Sequence, residues 1–123
     1  FAMHWKSHGL RYGIGREIDL WLARGCTVVM NGSREYLPEA RRLYPGLIAV
    51  LITVSPDVLA TRLRARGRET EAEIAKRIER ARQFPLPEGP LEVIENDGEL
   101  SAAGERLVQR IRSCHVQEPM PCA

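Results

Sequence analysis

The sequence predicts an α/β fold built on a parallel sheet, and two observations support this prediction. Short apolar runs rich in β-branched residues, typical of buried strands, occur at Cys26–Met30, Leu47–Val54 and Leu91–Ile94. Helical patterns separate these runs along the chain. Strands that alternate with helices favour parallel pairing through right-handed crossovers.

Length and composition indicate one globular domain with a modest core. The chain has 123 residues, of which 44% are hydrophobic and 28% are charged, and its formal net charge is +2. The three cysteines form no CxxC pair, so we expect no disulfide framework and a cytoplasmic location. The apolar runs are too short to span a membrane, so no membrane partner is expected.

Local signals place the first elements of the chain. Phe1–Gly13 is predicted to be a strand or an irregular segment that enters a turn. A helix is predicted at residues 16–24, with an apolar stripe of Ile18, Trp21 and Leu22, and Gly25 ends it. The run Cys26–Met30 that follows is predicted as a strand buried on both faces.

The second half of the chain has equally local signals. A helix is predicted at Arg34–Leu43, and Ser55 is predicted to cap a further helix that has Pro56 in its first turn. The closing helix is predicted at Leu100–Arg112, with Leu100, Leu107, Val108 and Ile111 as its apolar side chains. Residues 114–123 are predicted to be a disordered tail.

Positive charge is concentrated in Arg62–Arg82, which we call the arginine hairpin. This stretch has eight basic and four acidic residues, a net charge of +4 in a chain of +2. One helical run ends at Gly67 and a second begins near Glu71. Arginine binds phosphate oxygens in pairs, so the hairpin could be a lid over an anionic ligand. The alternative is a solvated surface with salt bridges such as Glu73–Arg77.

Polar residues follow two of the predicted strands, Cys26–Met30 and Leu91–Ile94, and the second of these is followed by Asn96 and Asp97. Ligands of open α/β sheets bind where the strands end. Asn31 and Ser33 follow the first, although an Asn-Gly turn and a Ser33 helix cap would explain them equally well. Tyr12 lies beside Gly13, where backbone can approach a ligand, but it could simply pack. His4 and His8 have no further ligands nearby in the sequence, and we name no metal ligand.

Several short motifs occur in one order along most of the chain. They are F-x-x-x-W and H-G-x-x-Y-G within residues 1–13, V-V-M-N-G-S at residues 28–33, R-L-x-x-R-G-R-E at residues 62–69, E-I-x-x-R-I-x-R-A at residues 73–81 and I-x-N-D-G-x-L at residues 94–100. In this order and spacing they resemble the guanylate-kinase-like branch of the P-loop phosphotransferases. The resemblance implies a three-layer, P-loop kinase-like parallel sheet with an arginine-rich helical lid, formed by residues 1–113.

Two positions distinguish the chain from true guanylate kinases. Those enzymes have an acidic residue where this chain has Met3, and a hydroxyl residue where it has Ile14. The chain is more similar to enzymes of this family that transfer the γ-phosphoryl group of ATP to ribose 1,5-bisphosphate, giving 5-phosphoribosyl diphosphate in phosphonate metabolism. The alternatives are a guanylate or other nucleoside monophosphate kinase, or a non-catalytic binding module.

The resemblance also implies roles for individual residues. The catalytic residues implied are Arg62, Arg66 and Arg77, and the ATP-binding residues implied are Arg62, Arg66, Arg68, Asn96 and Asp97. The residues implied for the acceptor are Tyr12, Asn31, Ser33 and Arg34. The ligands implied are ATP with Mg²⁺ and a sugar bisphosphate. No nucleic-acid partner is expected, because the total charge is nearly neutral.

One motif of this family does not occur in the 123 residues. The G-x-x-x-x-G-K-[ST] loop, which cradles the ATP phosphates, is absent from the sequence. In the family this loop precedes the part that matches Phe1. We therefore expect that an N-terminal part is missing and that these residues alone transfer phosphate poorly.

Overall fold

The computed structural model describes residues 1–114, which form two compact units. Within the described residues, the first unit comprises Phe1–Leu47 and residues 108–114, and the second comprises Ile48–Leu107. Residues 115–123 of the predicted tail lie outside the described residues, and Cys114 is the last residue of a helix. The described chain has a mixed α/β fold with five helices and two small sheets.

A β-hairpin opens the first unit. Strands β1 (Met3–Ser7) and β2 (Leu10–Ile14) pair in antiparallel orientation. The loop residues His8 and Gly9 have φ angles of 50° and 77°. Two-residue hairpin loops favour positive φ because this geometry matches the right-handed twist of the strands. The segment predicted as a single strand or an irregular run is therefore two strands, and the His-Gly pair is the turn between them.

The core of the first unit is small. Helices α1 (Glu17–Ala23) and α2 (Leu37–Leu43) contribute Ile18 and Ala40, which are buried together with Met3 of the hairpin. The predicted helix at residues 16–24 is confirmed. The helix predicted to begin at residue 34 begins three residues later, after a turn.

The predicted apolar stripe of α1 is wrong for two of its three residues. Ile18 is 5% exposed, but Trp21 is 45% exposed and Leu22 is 42% exposed. Helix α1 has seven residues and ends just before Gly25, which has a φ of 80°. The buried cluster reaches the first turn of this short helix only, so the side chains one turn further on remain in solvent.

The predicted strand Cys26–Met30 does not form among the described residues. Cys26 is exposed and Val29 is 62% exposed, while Val28 and Met30 pack against the core of the first unit. A strand needs a neighbour that accepts and donates its backbone hydrogen bonds, and in the described chain no strand pairs with this run. Hydrophobicity alone therefore did not make this run a strand.

The second unit contains a pair of parallel strands. Strands β3 (Val50–Thr53) and β4 (Glu92–Glu95) are hydrogen-bonded in parallel, the orientation predicted for the sheet, although the pairing of these two runs was not itself predicted. Leu51 and Ile94 are buried, but Ile52 is 53% exposed. Successive side chains of a strand point to opposite faces, and the register pairs Leu51 with the exposed Val93 and Ile52 with Ile94. Each face of the pair therefore has one buried and one exposed side chain. The prediction of buried strands is therefore met by only part of each run, and a three-layer sheet is not seen in residues 1–114.

The arginine hairpin lies on two helices, as predicted. Helix α3 (Pro56–Arg66) ends at Gly67, whose φ of 66° is left-handed, and helix α4 (Glu71–Gln83) follows after three further residues. Glycine occupies a left-handed helix end without the steric cost that a side chain would add. The glycine that signals the turn in the sequence therefore also forms it.

The two helices begin with different caps. Ser55 is the N-cap of α3 and Pro56 is its first residue, as predicted, but the Ser55 side chain makes no capping hydrogen bond. The Thr70 hydroxyl accepts from the Glu73 backbone N–H, and the Glu73 carboxylate accepts from the Thr70 N–H. This capping box, worth about 1 kcal/mol, uses the carboxylate that was predicted to pair with Arg77.

A small apolar cluster joins α3 to α4. Ala60, Leu63 and Ile74 are buried in it, with Leu59 and Ile78 packed at its edge. Truncation of a buried Leu or Ile costs about 2–5 kcal/mol, so this cluster is sufficient to fix one helix against the other.

The predicted closing helix is confirmed as α5 (Leu100–Cys114), but not all of its predicted apolar side chains are buried. Ala103 is its buried residue, whereas Leu100 is 77% exposed and Val108 is 44% exposed. Among the helices of residues 1–114, none is both long enough and apolar enough to cross a membrane.

Candidate functional site

Three carboxylate–arginine contacts organise the arginine hairpin. The first joins Arg64 of α3 to Glu71 of α4 through two hydrogen bonds of 2.8 and 3.1 Å. These bonds lower the pKa of the Glu71 carboxyl and raise the pKa of the Arg64 guanidinium. Both side chains are more than half exposed, so this pair contributes little to stability.

The other two contacts meet at Glu69, in the connection between the helices. Its Oε1 atom lies 3.1 Å from Nη2 of Arg66 and 3.3 Å from Nη2 of Arg77. The structure therefore brings together two of the predicted catalytic arginines, one from each helix of the hairpin. Glu69 was not among the predicted site residues, and no pattern in the sequence indicated that it would lie between them.

Glu69 is far less exposed than the arginines it contacts. Its side chain is 16% exposed, compared with 45% for Arg66 and 57% for Arg77. Within the described chain its second oxygen, Oε2, is buried and has no hydrogen-bond partner. A buried acceptor left unpaired costs about 1–3 kcal/mol, so this carboxylate is held at some expense to stability.

The remaining predicted arginines point elsewhere. Nη2 of Arg62 donates to the backbone carbonyl of Gly98 at 3.0 Å, in the loop that follows β4. Arg68 is exposed, next to Gly67 in the helix connection. Arg62 and Arg66 are on the same helix, but they contact different parts of the second unit.

The loop after β4 contains the residues predicted to meet the nucleotide. The Asn96 N–H donates to the Thr53 carbonyl at 2.7 Å, which extends the pairing of β3 and β4 by one bond. Oδ1 of Asp97 accepts from the Ser55 N–H at 2.6 Å. This bond holds the loop against the start of α3, a role for Asp97 that was not predicted.

A pocket of about 160 Å³ opens beside this loop. Its lining residues are Glu95, Asp97, Gly98, Glu99, Ala102, Ala103 and Arg106. Asn96 does not line it, but its side-chain Oδ1 is buried without a hydrogen-bond partner in residues 1–114. Of the two residues predicted to meet the nucleotide, Asp97 therefore lines the pocket and Asn96 has a buried acceptor without a partner.

In the first unit, Tyr12 belongs to a stack of three aromatic rings. Trp5 lies opposite Tyr12 in the hairpin, and their ring centroids are 5.6 Å apart. Tyr36 stacks on Trp5 at 5.5 Å. Tyr12 is nevertheless 42% exposed, so its ring is held by packing while part of it remains in contact with solvent.

The other predicted acceptor residues lie in the segment of the chain between Met30 and α2. Asn31 and Arg34 are exposed and Ser33 is half-buried. The Ser33 carbonyl accepts from the Tyr36 N–H at 3.2 Å, so the turn that contains Ser33 and Arg34 leads directly to the aromatic stack. The helix begins after Tyr36, and Ser33 is therefore not its N-cap.

A second pocket, of about 290 Å³, occurs in the first unit and was not predicted. Its lining residues are Phe1, Ala2, Arg16, Asp19, Leu43 and Tyr44. The Tyr44 hydroxyl donates to Oδ1 of Asp19 at 2.6 Å, and this bond, together with burial, raises the pKa of Tyr44. The two residues are 25 positions apart, so no local pattern could have paired them.

These observations define a mixed α/β protein with a parallel strand pair and an arginine-lined helical hairpin. The chain is a homologue of the enzymes named ribose 1,5-bisphosphate phosphokinase PhnN. It is 75% identical over 109 residues to the one from Thiobacillus denitrificans, and this match covers 89% of the chain and 57% of the relative. The predicted resemblance is confirmed.

Two further relatives have the same name. The Psychromonas ingrahamii enzyme is 52% identical over 114 residues, which cover 92% of this chain and 58% of the relative. The Azotobacter vinelandii enzyme is 49% identical over 112 residues, which cover 91% of this chain and 61% of the relative. The chain therefore spans about 57–61% of the length of these relatives. No family model and no solved structure matches the chain.

Proposed function

We propose that this chain is part of an enzyme that transfers the γ-phosphoryl group of ATP to ribose 1,5-bisphosphate. The 75% identity to the Thiobacillus denitrificans relative over 109 residues is the observation that supports this most directly. The products are ADP and 5-phosphoribosyl diphosphate. The Pγ–O bond to ADP breaks, and a new bond forms between Pγ and a phosphate oxygen of the acceptor.

This reaction places unusual demands on a site. The attacking oxygen belongs to a phosphate group that is already anionic, so no general base is needed to activate it. The main obstacle is repulsion between two highly charged phosphate esters. Phosphoryl transfer is accelerated chiefly by positioning and by neutralisation of charge. An arginine-rich surface suits this task better than an acid–base pair.

In this proposal, Arg62, Arg66, Arg68 and Arg77 bind the phosphates of ATP. Arg66 and Arg77 are about half exposed and share one carboxylate, so both guanidinium groups are near each other and within reach of a ligand. Such groups stabilise the charge that develops on the transferring phosphoryl oxygens. Arg62 would join them by leaving the Gly98 carbonyl or by donating from its other N–H groups.

The loop after β4 is proposed to receive the adenine of ATP, through Asn96 and Asp97. The buried, unpartnered Oδ1 of Asn96 and the pocket of about 160 Å³ lined by Asp97 support this assignment. Mg²⁺ would neutralise the ATP phosphates. In residues 1–114 no three His, Cys, Asp or Glu side chains gather as metal ligands, so the ion would be held by phosphate oxygens and water.

The acceptor is proposed to bind in the first unit. Tyr12 would donate its hydroxyl to an acceptor phosphate, and Arg34 would neutralise the same group. Asn31 and Ser33 would contact the sugar or its phosphates. The stack of Tyr12 on Trp5 supports this assignment, because it holds the Tyr12 ring in one orientation while part of the ring stays exposed.

The test is to incubate the complete protein with MgATP and ribose 1,5-bisphosphate and to follow phosphorus NMR. The expected result is one diphosphate product for each ADP formed, with GMP as a poor acceptor. Equal rates with GMP would replace the proposal by a nucleoside monophosphate kinase. Nucleotide binding without transfer to either acceptor would favour a binding module.

A further inference from the structure

The contacts of Glu69 differ from those of every other carboxylate in the arginine hairpin. Its Oε1 contacts two arginines from two different helices, and its side chain is 16% exposed. Glu71 contacts only Arg64 and is 70% exposed. Glu69 is thus a shared and mostly buried anion, whereas Glu71 is one half of an ordinary surface pair.

The difference in exposure indicates which side of the arginines faces solvent. The side chain of Glu69 is 16% exposed, while those of Arg66 and Arg77 are 45% and 57% exposed. The carboxylate therefore lies on the protein side of the two guanidinium groups. Each arginine contacts it through Nη2, and a guanidinium has five N–H donors, so most donors of both remain for an anion approaching from solvent.

The charge balance also favours a supporting role. Two guanidinium groups held close together repel each other, and one carboxylate between them removes most of that repulsion. The group of three keeps a net charge of +1, so it still attracts phosphate. Long arginine side chains lose conformational freedom when a ligand immobilises them, and contacts that fix them beforehand reduce this loss.

We infer that Glu69 is a positioning residue, which holds Arg66 and Arg77 together so that both bind the phosphates of one nucleotide. This inference rests on the proposed function, because it assigns those phosphates to ATP. Glu69 itself contacts no substrate and acts only through the two arginines.

The opposite role would be that of a competitor, which phosphate must displace. Burial argues against it. Oε2 of Glu69 already has no partner in the described chain, and loss of both arginines would leave Oε1 unpaired as well. A carboxylate in that state would be strongly disfavoured, so the arginines are expected to keep Glu69 when they bind phosphate.

The experiment compares Glu69→Gln with Glu71→Gln in the complete protein. The two positions are two residues apart, and both substitutions remove one negative charge from a carboxylate that pairs with arginine. Calorimetry with the magnesium complex of a non-hydrolysable ATP analogue gives the affinities. We expect Glu69→Gln to weaken binding about 10-fold and Glu71→Gln to change it less than about 2-fold.

Two additional readouts separate positioning from simple structural support. Glu69→Asp keeps the charge and should recover part of the affinity that Glu69→Gln loses. In steady-state assays the KM for ATP should rise in Glu69→Gln, while the KM for ribose 1,5-bisphosphate stays unchanged. A melting temperature equal to that of the wild type would show that the variant is folded.

Each outcome of these measurements either supports or overturns the role of Glu69. Unchanged or tighter analogue binding by Glu69→Gln would overturn it, whether or not the enzyme phosphorylates ribose 1,5-bisphosphate. Selective weakening by Glu69→Gln in a protein that fails to phosphorylate this sugar would support the inference and refute the proposed acceptor. A wild type that does not bind the analogue would overturn both.

Discussion

The two units hold their candidate site residues in place by different means. In the first unit, Tyr12 is fixed by ring stacking on Trp5, which also stacks on Tyr36. In the second unit, Arg66 and Arg77 are fixed by a shared carboxylate, Glu69. Stacked rings have few rotatable bonds and hold a hydroxyl in one direction. Paired arginines keep their charge and present several N–H donors to an anion.

This difference indicates which substitutions each unit should tolerate. A site held by charge should fail when one charge is removed, even if the fold is intact. A site held by packing should fail in recognition of one ligand while the other unit continues to bind its own.

The largest effect is expected for Arg66→Ala in the second unit. Loss of one positioned donor at a transferring phosphoryl group lowers kcat/KM by about 100-fold or more. The side chain is 45% exposed, so the melting temperature should change little. Steady-state kinetics and thermal melting of the same variant give both numbers.

Arg64→Ala is the matched control for this prediction. Arg64 is on the same helix and has its own carboxylate partner, Glu71, but it is not assigned to any phosphate. Its substitution should change kcat/KM less than about 3-fold, which is the usual scale for an exposed pair. Equal losses of activity in the two variants would show that total positive charge, rather than position, is what the hairpin supplies.

A smaller and more selective effect is expected for Tyr12→Phe in the first unit. The stack on Trp5 remains and only the hydroxyl is lost, so the KM for ribose 1,5-bisphosphate should rise about 10-fold. The affinity for the ATP analogue should be unchanged, because no nucleotide contact is assigned to Tyr12.

Tyr44→Phe provides the control for Tyr12→Phe. It also removes one hydroxyl from an aromatic residue of the first unit, but that hydroxyl donates to Asp19. We expect a small loss of stability of about 1 kcal/mol and no change in either KM. A rise in the KM for the sugar bisphosphate in Tyr44→Phe alone would move the acceptor site from Tyr12 to the pocket that Tyr44 lines.

The second unit was the more predictable of the two, because its signals are local. Ser55 with Pro56 marked the start of α3 and Gly67 marked its end, both as the sequence indicated. The Thr70 capping box could also have been found, since its four-residue pattern is contiguous in the sequence. The burial of Glu69 could not, because it depends on a contact with Arg77 from the next helix.

The first unit was less predictable because its contacts join distant parts of the chain. Trp5 meets Tyr36, and Asp19 meets Tyr44 across 25 positions, without any periodic pattern. The apolar run Cys26–Met30 is a second case in which distant contacts, and not local sequence, decide the structure. Its residues favour a strand, but a strand forms only where a second one pairs with it, and the run itself contains no information about that partner.

The smallest predicted effect concerns acid and tests what the two units share. Glu39 in the first unit and Glu71 in the second each have a pKa lowered from the ordinary 4.5, chiefly by a hydrogen bond from Arg42 and Arg64 respectively. A carboxylate with a lowered pKa in the folded state stabilises the protein above its ordinary pKa. That contribution is lost as the pH falls through the lowered value.

Carbon NMR titration of the two carboxyl groups checks this prediction. Arg42→Ala should return only Glu39 to its ordinary pKa, and Arg64→Ala should return only Glu71. Since both pairs are exposed, neither variant should move the acid unfolding midpoint much. A large shift from Arg64→Ala alone would mean that surface pairing, and not the partly buried Glu69, holds the arginine hairpin together. The contrast between the two units would then rest on exposed charge.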